Sequence, residues 1–191
     1  MNSEALSKGQ GVVIFLTGFS GAGKTTIAQA LHRRLLESFG RPVTMLDGDV
    51  VRTHLSKGLG FSKEDRDANV RRIGFVAGEV AKHGGIAICA VIAPYKETRD
   101  KNRHHISQYG TYIEVFVNTS LEVCEARDVK GLYKKAREGL LKQFTGIDDV
   151  YEVPENPEII IDGDATTADN AAERVVDFLI EKNLVAREKG N

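Results

Sequence analysis

The chain has 191 residues, enough for one domain with a sizeable core, and its 41% apolar and 28% charged fractions exclude a disordered or fibrous protein. A formal net charge of -1 excludes the general basic field that draws proteins to nucleic acid or an anionic membrane, so an anionic ligand must be met by local groups. No apolar run is long enough to cross a bilayer and Met1 to Gln10 lacks the order of a secretory signal, so a cytoplasmic protein is expected, with Cys89 and Cys124 reduced and buried.

Val12 to Leu16 is apolar throughout and reads as a first strand. It leads into GFSGAGKTT, Gly18 to Thr26, in which Gly18, four residues and Gly23-Lys24-Thr25 fit the phosphate-loop pattern in full. In that pattern the backbone amides around Ser20, Gly21, Ala22 and Gly23 face phosphate oxygens. Lys24 reaches the β- and γ-phosphates, and the Thr25 hydroxyl holds Mg²⁺. The glycine order is not that of the dinucleotide fingerprint, and a merely tight turn gives no reason for Lys-Thr-Thr at a helix start. An ATP or GTP site is expected, opening a helix over Lys24 to Ser38 with Ile27, Leu31 and Leu35 on one face.

A second strand, Val43 to Leu46, ends in LDGDVVRTHL. Asp47 and Asp49 fall at the carboxyl end of a strand, where ligands bind in open α/β sheets. Alone, Asp-Gly-Asp is ordinary turn and cap chemistry. Beside a phosphate loop, either carboxylate is suited to contact Mg²⁺ through water or to accept a hydroxyl proton. Arg52 is expected in the first turn of the following helix, with a guanidinium suited to a second anionic substrate. Ser62 to Asp65 resembles a capping box and opens a helix over Lys63 to Lys82, placing Arg66 and Asn69 on one face near its N-terminus.

Strands follow at Ile86 to Ile92, Tyr112 to Val117 and Glu158 to Ile161, with helices at about Glu97 to Gln108, Leu121 to Arg127 and Ala168 to Glu181. This alternation predicts an α/β fold whose five-stranded parallel sheet is flanked by helices. No guanine-reading Asn-Lys-x-Asp follows a late strand, which disfavours a GTPase. Arg127, Lys130, Lys134, Lys135 and Arg137 form a basic run that reads either as a solvated helix or as a kinase lid.

The series KGLGFSKEDRDANVRRIG, EARDVKGLYKKAREG and FTGIDDVYEVPENPE, taken with the phosphate loop and DGDVVR, resembles the adenylylsulfate kinase (APS kinase) family from about Gly11 to Val185. The resemblance implies a three-layer P-loop kinase fold in a single domain over 1–191, with a basic lid at roughly 127–150. It implies transfer of the ATP γ-phosphate to the 3′-hydroxyl of adenosine 5′-phosphosulfate in sulfate assimilation, with Mg²⁺. It further implies a homodimer, a functional link to an ATP sulfurylase, and no nucleic-acid or membrane partner.

Residue by residue, the resemblance makes Phe61 and Phe144 the stacking positions for the acceptor adenine. Arg52, Arg66 and Asn69 become the phosphosulfate-side contacts, and Asp49 the carboxylate near the 3′-hydroxyl. Lys130 is placed near the acceptor and Arg127 near ATP. Thr166 and Ala171 flank the ATP adenine, Ile92 and Ala93 offer backbone contacts to the acceptor, and Asp47 meets Mg²⁺ through water. One departure is Ala93, where many family members carry Ser, so a phosphoserine there is impossible and direct transfer in a ternary complex is expected. Val129 and Val150 stand where Pro is frequent. The rival readings are a phosphotransferase for a sugar or another nucleotide and a non-catalytic, kinase-like module that senses the sulfonucleotide.

Overall fold

A computed structural model describes residues 10–186. In chain order the elements are β1 (Val12–Thr17), α1 (Lys24–Phe39), β2 (Val43–Asp47), α2 (Gly48–Thr53), α3 (Lys63–Lys82), β3 (Ile86–Ala90), α4 (Lys96–Ile106), β4 (Thr111–Asn118), α5 (Leu121–Arg127), α6 (Leu132–Arg137), β5 (Ile159–Asp162) and α7 (Ala168–Glu181). The five strands form one parallel sheet in the order β2-β3-β1-β4-β5.

β1 is central and buried at every position, which is why its sequence shows no alternation. Val12, Ile14 and Leu16 enter the core shared with α1 and α7, where Ile27, Leu31, Leu35, Val175 and Leu179 meet them. Val13 and Phe15 face the other way, against Val70, Ile73 and Ala77 of α3 and Ile106 of α4. Both thiols are free and buried, as expected. Among the described residues no helix is long and apolar enough to cross a membrane.

Three sequence expectations need correction. β3 ends at Ala90 rather than Ile92, because the chain turns out of the sheet at Ala93, whose φ is 45°. The basic run expected as a helix or a lid holds only the six-residue helix α6, too short to register as a 3.6-residue period. Arg52 lies in the last turn of α2, not the first. Asp47 is the N-cap, its carboxylate accepting the Asp49 amide at 2.9 Å, so the helix begins before Asp49.

Ala93 is held in place by a buried ion network. Arg99 donates to the Ala93 carbonyl at 2.8 Å and the Glu152 carbonyl at 2.7 Å, and its Nε stands 3.1 Å from Glu114. Replacing Arg99 by Met leaves the buried Glu114 carboxylate to Arg103 alone, 3.5 Å away, and removes a donor from two carbonyls. The expected loss of stability is about 3 kcal/mol, read as a lower chemical-denaturation midpoint, with Arg99→Met/Glu114→Gln regaining part of it.

Candidate active site

The carboxyl edge of the sheet carries a cavity of about 500 Å³, walled by the loops after β1, β2, β3 and β5 and by the 127–144 segment. This is the edge at which open parallel sheets bind ligands.

On one side lies the phosphate loop. Gly18 has a φ of 149°, and a Cβ there would stand 2.6 Å from the Val117 carbonyl, so no other residue fits. Gly23, at a φ of 98°, is the N-cap of α1 and aims the first amides of that helix at the cavity. The carbonyls of five consecutive residues are all taken by side chains. Lys24 Nζ donates to Gly18 at 3.0 Å and Phe19 at 2.6 Å. The Tyr133 hydroxyl donates to Ser20 at 2.9 Å, Arg127 to Gly21 at 3.4 Å, and Thr119 to Ala22 at 2.9 Å. Carbonyls fixed in this way hold the loop's shape and orient its peptide dipoles. Burial pulls the Lys24 ammonium down to about 8. Thr25 donates to Asp47 Oδ2 at 2.6 Å, joining the helix start to the end of β2. Arg127 also donates to the Gly163 carbonyl at 3.1 Å, bridging the phosphate loop and the β5–α7 loop, where Thr166 joins the cavity wall.

The opposite side is cationic and aromatic. Arg52 donates to the Gly60 carbonyl at 2.8 Å and stands 5.0 Å from the centre of the Phe61 ring. The Arg66 guanidinium lies 5.5 Å from the same ring and donates to the carbonyls of Phe61 at 2.9 Å and Gln143 at 2.6 Å. Asp149, which accepts from the Tyr95 hydroxyl at 2.7 Å, stands 3.7 Å from Arg66 Nε. Arg66 therefore keeps its orientation by contacts with two segments far apart in sequence. Asn69, one turn along α3, is buried with its Oδ1 unpartnered in the cavity wall, where a buried polar atom calls for a donor. Asp49 is exposed at the mouth and ion-paired with Lys130, which bridges α2 and the basic segment.

Two of the expected contacts are placed differently from the rest. Ala171 is fully buried in the core with α1 and is absent from the cavity wall, because its position on α7 faces the sheet; Ala168, at the start of that helix, lines the cavity instead. Phe144 lines the cavity yet is only 3% exposed and belongs to the main core, whereas Phe61 is 43% exposed. Ser20, Gly21, Ala22, Gly23, Lys24, Thr25, Asp47, Asp49, Arg52, Phe61, Arg66, Asn69, Ile92, Ala93, Arg127, Lys130, Phe144 and Thr166 all line the one cavity. Sequence reasoning missed the supports, Tyr95, Asp149 and Tyr133. Asp149 and Tyr133 sit inside the quoted motifs and Tyr95 just after Ala93, but they reach the site through hydrogen bonds to other residues.

The family model for adenylylsulphate kinase matches residues 10–162 of the chain. The chain belongs to the adenylylsulphate kinase family. The adenylyl-sulfate kinase of Rippkaea orientalis is 54% identical over 180 residues, covering 94% of this chain and 97% of that one. That of Microcystis aeruginosa is 53% identical over 178 residues, covering 93% and 96%. The solved structure of the APS kinase of Mycobacterium tuberculosis in complex with AMPPNP and APS superposes with a TM-score of 0.86 at 39% identity, covering 90% of this chain and 99% of that one. The five-stranded parallel sheet and flanking helices are therefore those of an adenylylsulphate kinase.

Proposed function

We propose that the chain is an adenylyl-sulfate kinase that transfers the γ-phosphate of ATP to the 3′-hydroxyl of adenosine 5′-phosphosulfate, yielding 3′-phosphoadenosine 5′-phosphosulfate and ADP. The observation that carries the reading is the single cavity in which a phosphate loop faces a cationic, aromatic wall, two unlike subsites for two nucleotides. Phosphoryl transfer asks mainly for positioning and charge neutralisation, and each residue is assigned on that basis.

Lys24, Thr25 and the amides from Ser20 to Gly23 hold the triphosphate, with Arg127 over it and Thr166 toward the adenine. Phe61 and Phe144 stack on the acceptor adenine, while Arg52, Arg66 and Asn69 meet the phosphosulfate. Asp49 orients the 3′-hydroxyl and accepts its proton as the bond to phosphorus forms. Lys130, its ion-pair partner, stands beside the acceptor, as do the backbone groups of Ile92 and Ala93.

Kinase chemistry with ATP implies a divalent metal, and Mg²⁺ is the ion that the residues fit. The Thr25 hydroxyl and the Asp47 carboxylate, 2.6 Å apart, are hard oxygen donors of the type it prefers. When bound, Mg²⁺ would neutralise phosphate charge during the transfer. Ala93 carries no hydroxyl, so the phosphoryl group passes directly between the two nucleotides in a ternary complex. The enzyme is read as a single domain with a lid over roughly 127–150, acting in the cytoplasm as a homodimer with a functional link to an ATP sulfurylase.

Lys24 makes nucleotide binding pH-dependent. Its pKa of about 8 means that the free enzyme loses this ammonium as pH rises through 8, while a bound triphosphate restores it. Binding then takes up a proton, and ATP affinity falls by up to about tenfold per pH unit above 8. Calorimetry in buffers of different ionisation heat measures the uptake; its absence at pH 9 contradicts the assignment.

The function itself is tested by ADP release with ATP and Mg²⁺ over a panel of sugar, nucleoside and sulfonucleotide acceptors. Release confined to adenylylsulfate is expected, and silence with adenylylsulfate overturns it.

A further inference from the structure

Tyr133 is, among the described residues, the largest fully buried side chain, and it reaches the main core from the basic segment. Its two ends touch the two halves of the site. The hydroxyl donates to the Ser20 carbonyl of the phosphate loop at 2.9 Å. The ring meets Phe144 edge-on, with centroids 4.9 Å apart and planes at 83°. Burial raises the phenol's pKa, so it remains a donor throughout the neutral range.

Both contacts are made from fixed supports. Asp128 caps the start of α6, its two carboxylate oxygens accepting the Tyr133 and Lys134 amides at 3.0 Å each. Arg137 ties the far end of the same helix to Glu125 of α5 through two bonds of 2.8 and 2.9 Å. On the other side, Asp148 accepts the Gln143 and Phe144 amides at 2.8 and 2.6 Å, and Arg66 holds the Gln143 carbonyl. A displacement of the Phe144 ring is therefore passed to Tyr133 with little slack, and from its hydroxyl to the peptide that follows Ser20.

We propose that Tyr133 is a positioning residue that couples the two subsites, so that an acceptor stacked on Phe144 sets the phosphate loop for the donor. It touches neither nucleotide and acts through Ser20 and Phe144. The proposal rests on the acceptor assignment made above. Contact alone does not establish coupling, which is a free energy shared by two ligands and is measured as such.

The test compares wild type with Tyr133→Phe, which keeps the ring and removes the hydroxyl. A non-hydrolysable ATP analogue with Mg²⁺ is titrated calorimetrically in the absence and presence of saturating adenylylsulfate, and the ratio of the two dissociation constants is the coupling factor. Wild type is expected to show a factor of about ten, and Tyr133→Phe a factor about fivefold closer to one. The affinity of the variant for either ligand alone stays within about threefold of wild type, whereas the KM for each, measured at saturating co-substrate, rises by about fivefold. A role confined to stability would not separate the coupling factor from the individual affinities. Phe144→Leu breaks the path from the other end and is expected to lose the same coupling while leaving the Tyr133–Ser20 bond. An unchanged coupling factor in either variant overturns the proposal. A wild type that releases no ADP with adenylylsulfate overturns the acceptor assignment instead, and the proposal with it, whereas failure of the proposal alone leaves that release intact.

Discussion

Lys24→Ala lowers kcat by about 10³-fold at pH 7, with the fold retained. The ammonium is buried and donates to the phosphate-loop carbonyls of Gly18 and Phe19, and the arriving triphosphate competes for it. Charge developing on the transferring phosphoryl group in a water-poor site is stabilised by such a group at a cost of several kcal/mol if it is removed. The burial that lowers its pKa also means that the ammonium is held against a desolvation cost. The variant should therefore melt at or above the wild-type temperature, which separates a chemical defect from misfolding. ADP release and thermal melting on the same preparation provide the check; turnover within tenfold of wild type contradicts the assigned role.

Asp49→Asn is expected to lower kcat by about 10²-fold or more while ATP affinity stays near wild type. The amide keeps the shape but neither accepts the hydroxyl proton nor pairs with Lys130. Both partners of that pair are more than half exposed, so its contribution to folding is small. Lys130→Ala separates the two effects. If Asp49 acts on the hydroxyl, losing Lys130 weakens acceptor binding more than it slows the chemical step; if Asp49 served only to hold Lys130, the two variants would share one phenotype. Single-turnover rates at saturating acceptor distinguish these outcomes.

Much of the donor half was legible because its signal is local. β1, the glycine order and the Lys-Thr pair are contiguous, and each residue has one conformational or chemical reason to be where it is. The inner strands β1, β3 and β4 were legible for a similar reason, since buried parallel strands are nearly continuous apolar runs, whereas the edge strands β2 and β5 are partly exposed. The acceptor half is different, since Phe61 and Phe144 have no common spacing with Arg52 and Arg66, and only the resemblance to a known family joined the four into one site. Even then the turn of α2 occupied by Arg52 was misjudged, because whether Asp47 or Asp49 caps that helix depends on a single side-chain bond. Ala171 was misplaced because a small residue in a helix start reads equally as ligand contact and as core. The supports were the least legible. Arg99 looks like one more charge in a polar helix, yet it is buried because Glu114 on β4 and two carbonyls need a cation there. Tyr133 looks like one aromatic in a lysine-rich run, and only the fold reveals that its hydroxyl reaches Ser20.

The central claim is that one phosphoryl group moves from ATP directly to the ribose 3′-oxygen of adenylylsulfate. Phosphorus and proton NMR of the purified product tests it most directly. The account predicts a new phosphate monoester coupled to the 3′ proton of the ribose, with the 5′-phosphosulfate intact and one ADP formed per product. A phosphate on any other oxygen, or γ-phosphate released to water in place of the monoester, contradicts it.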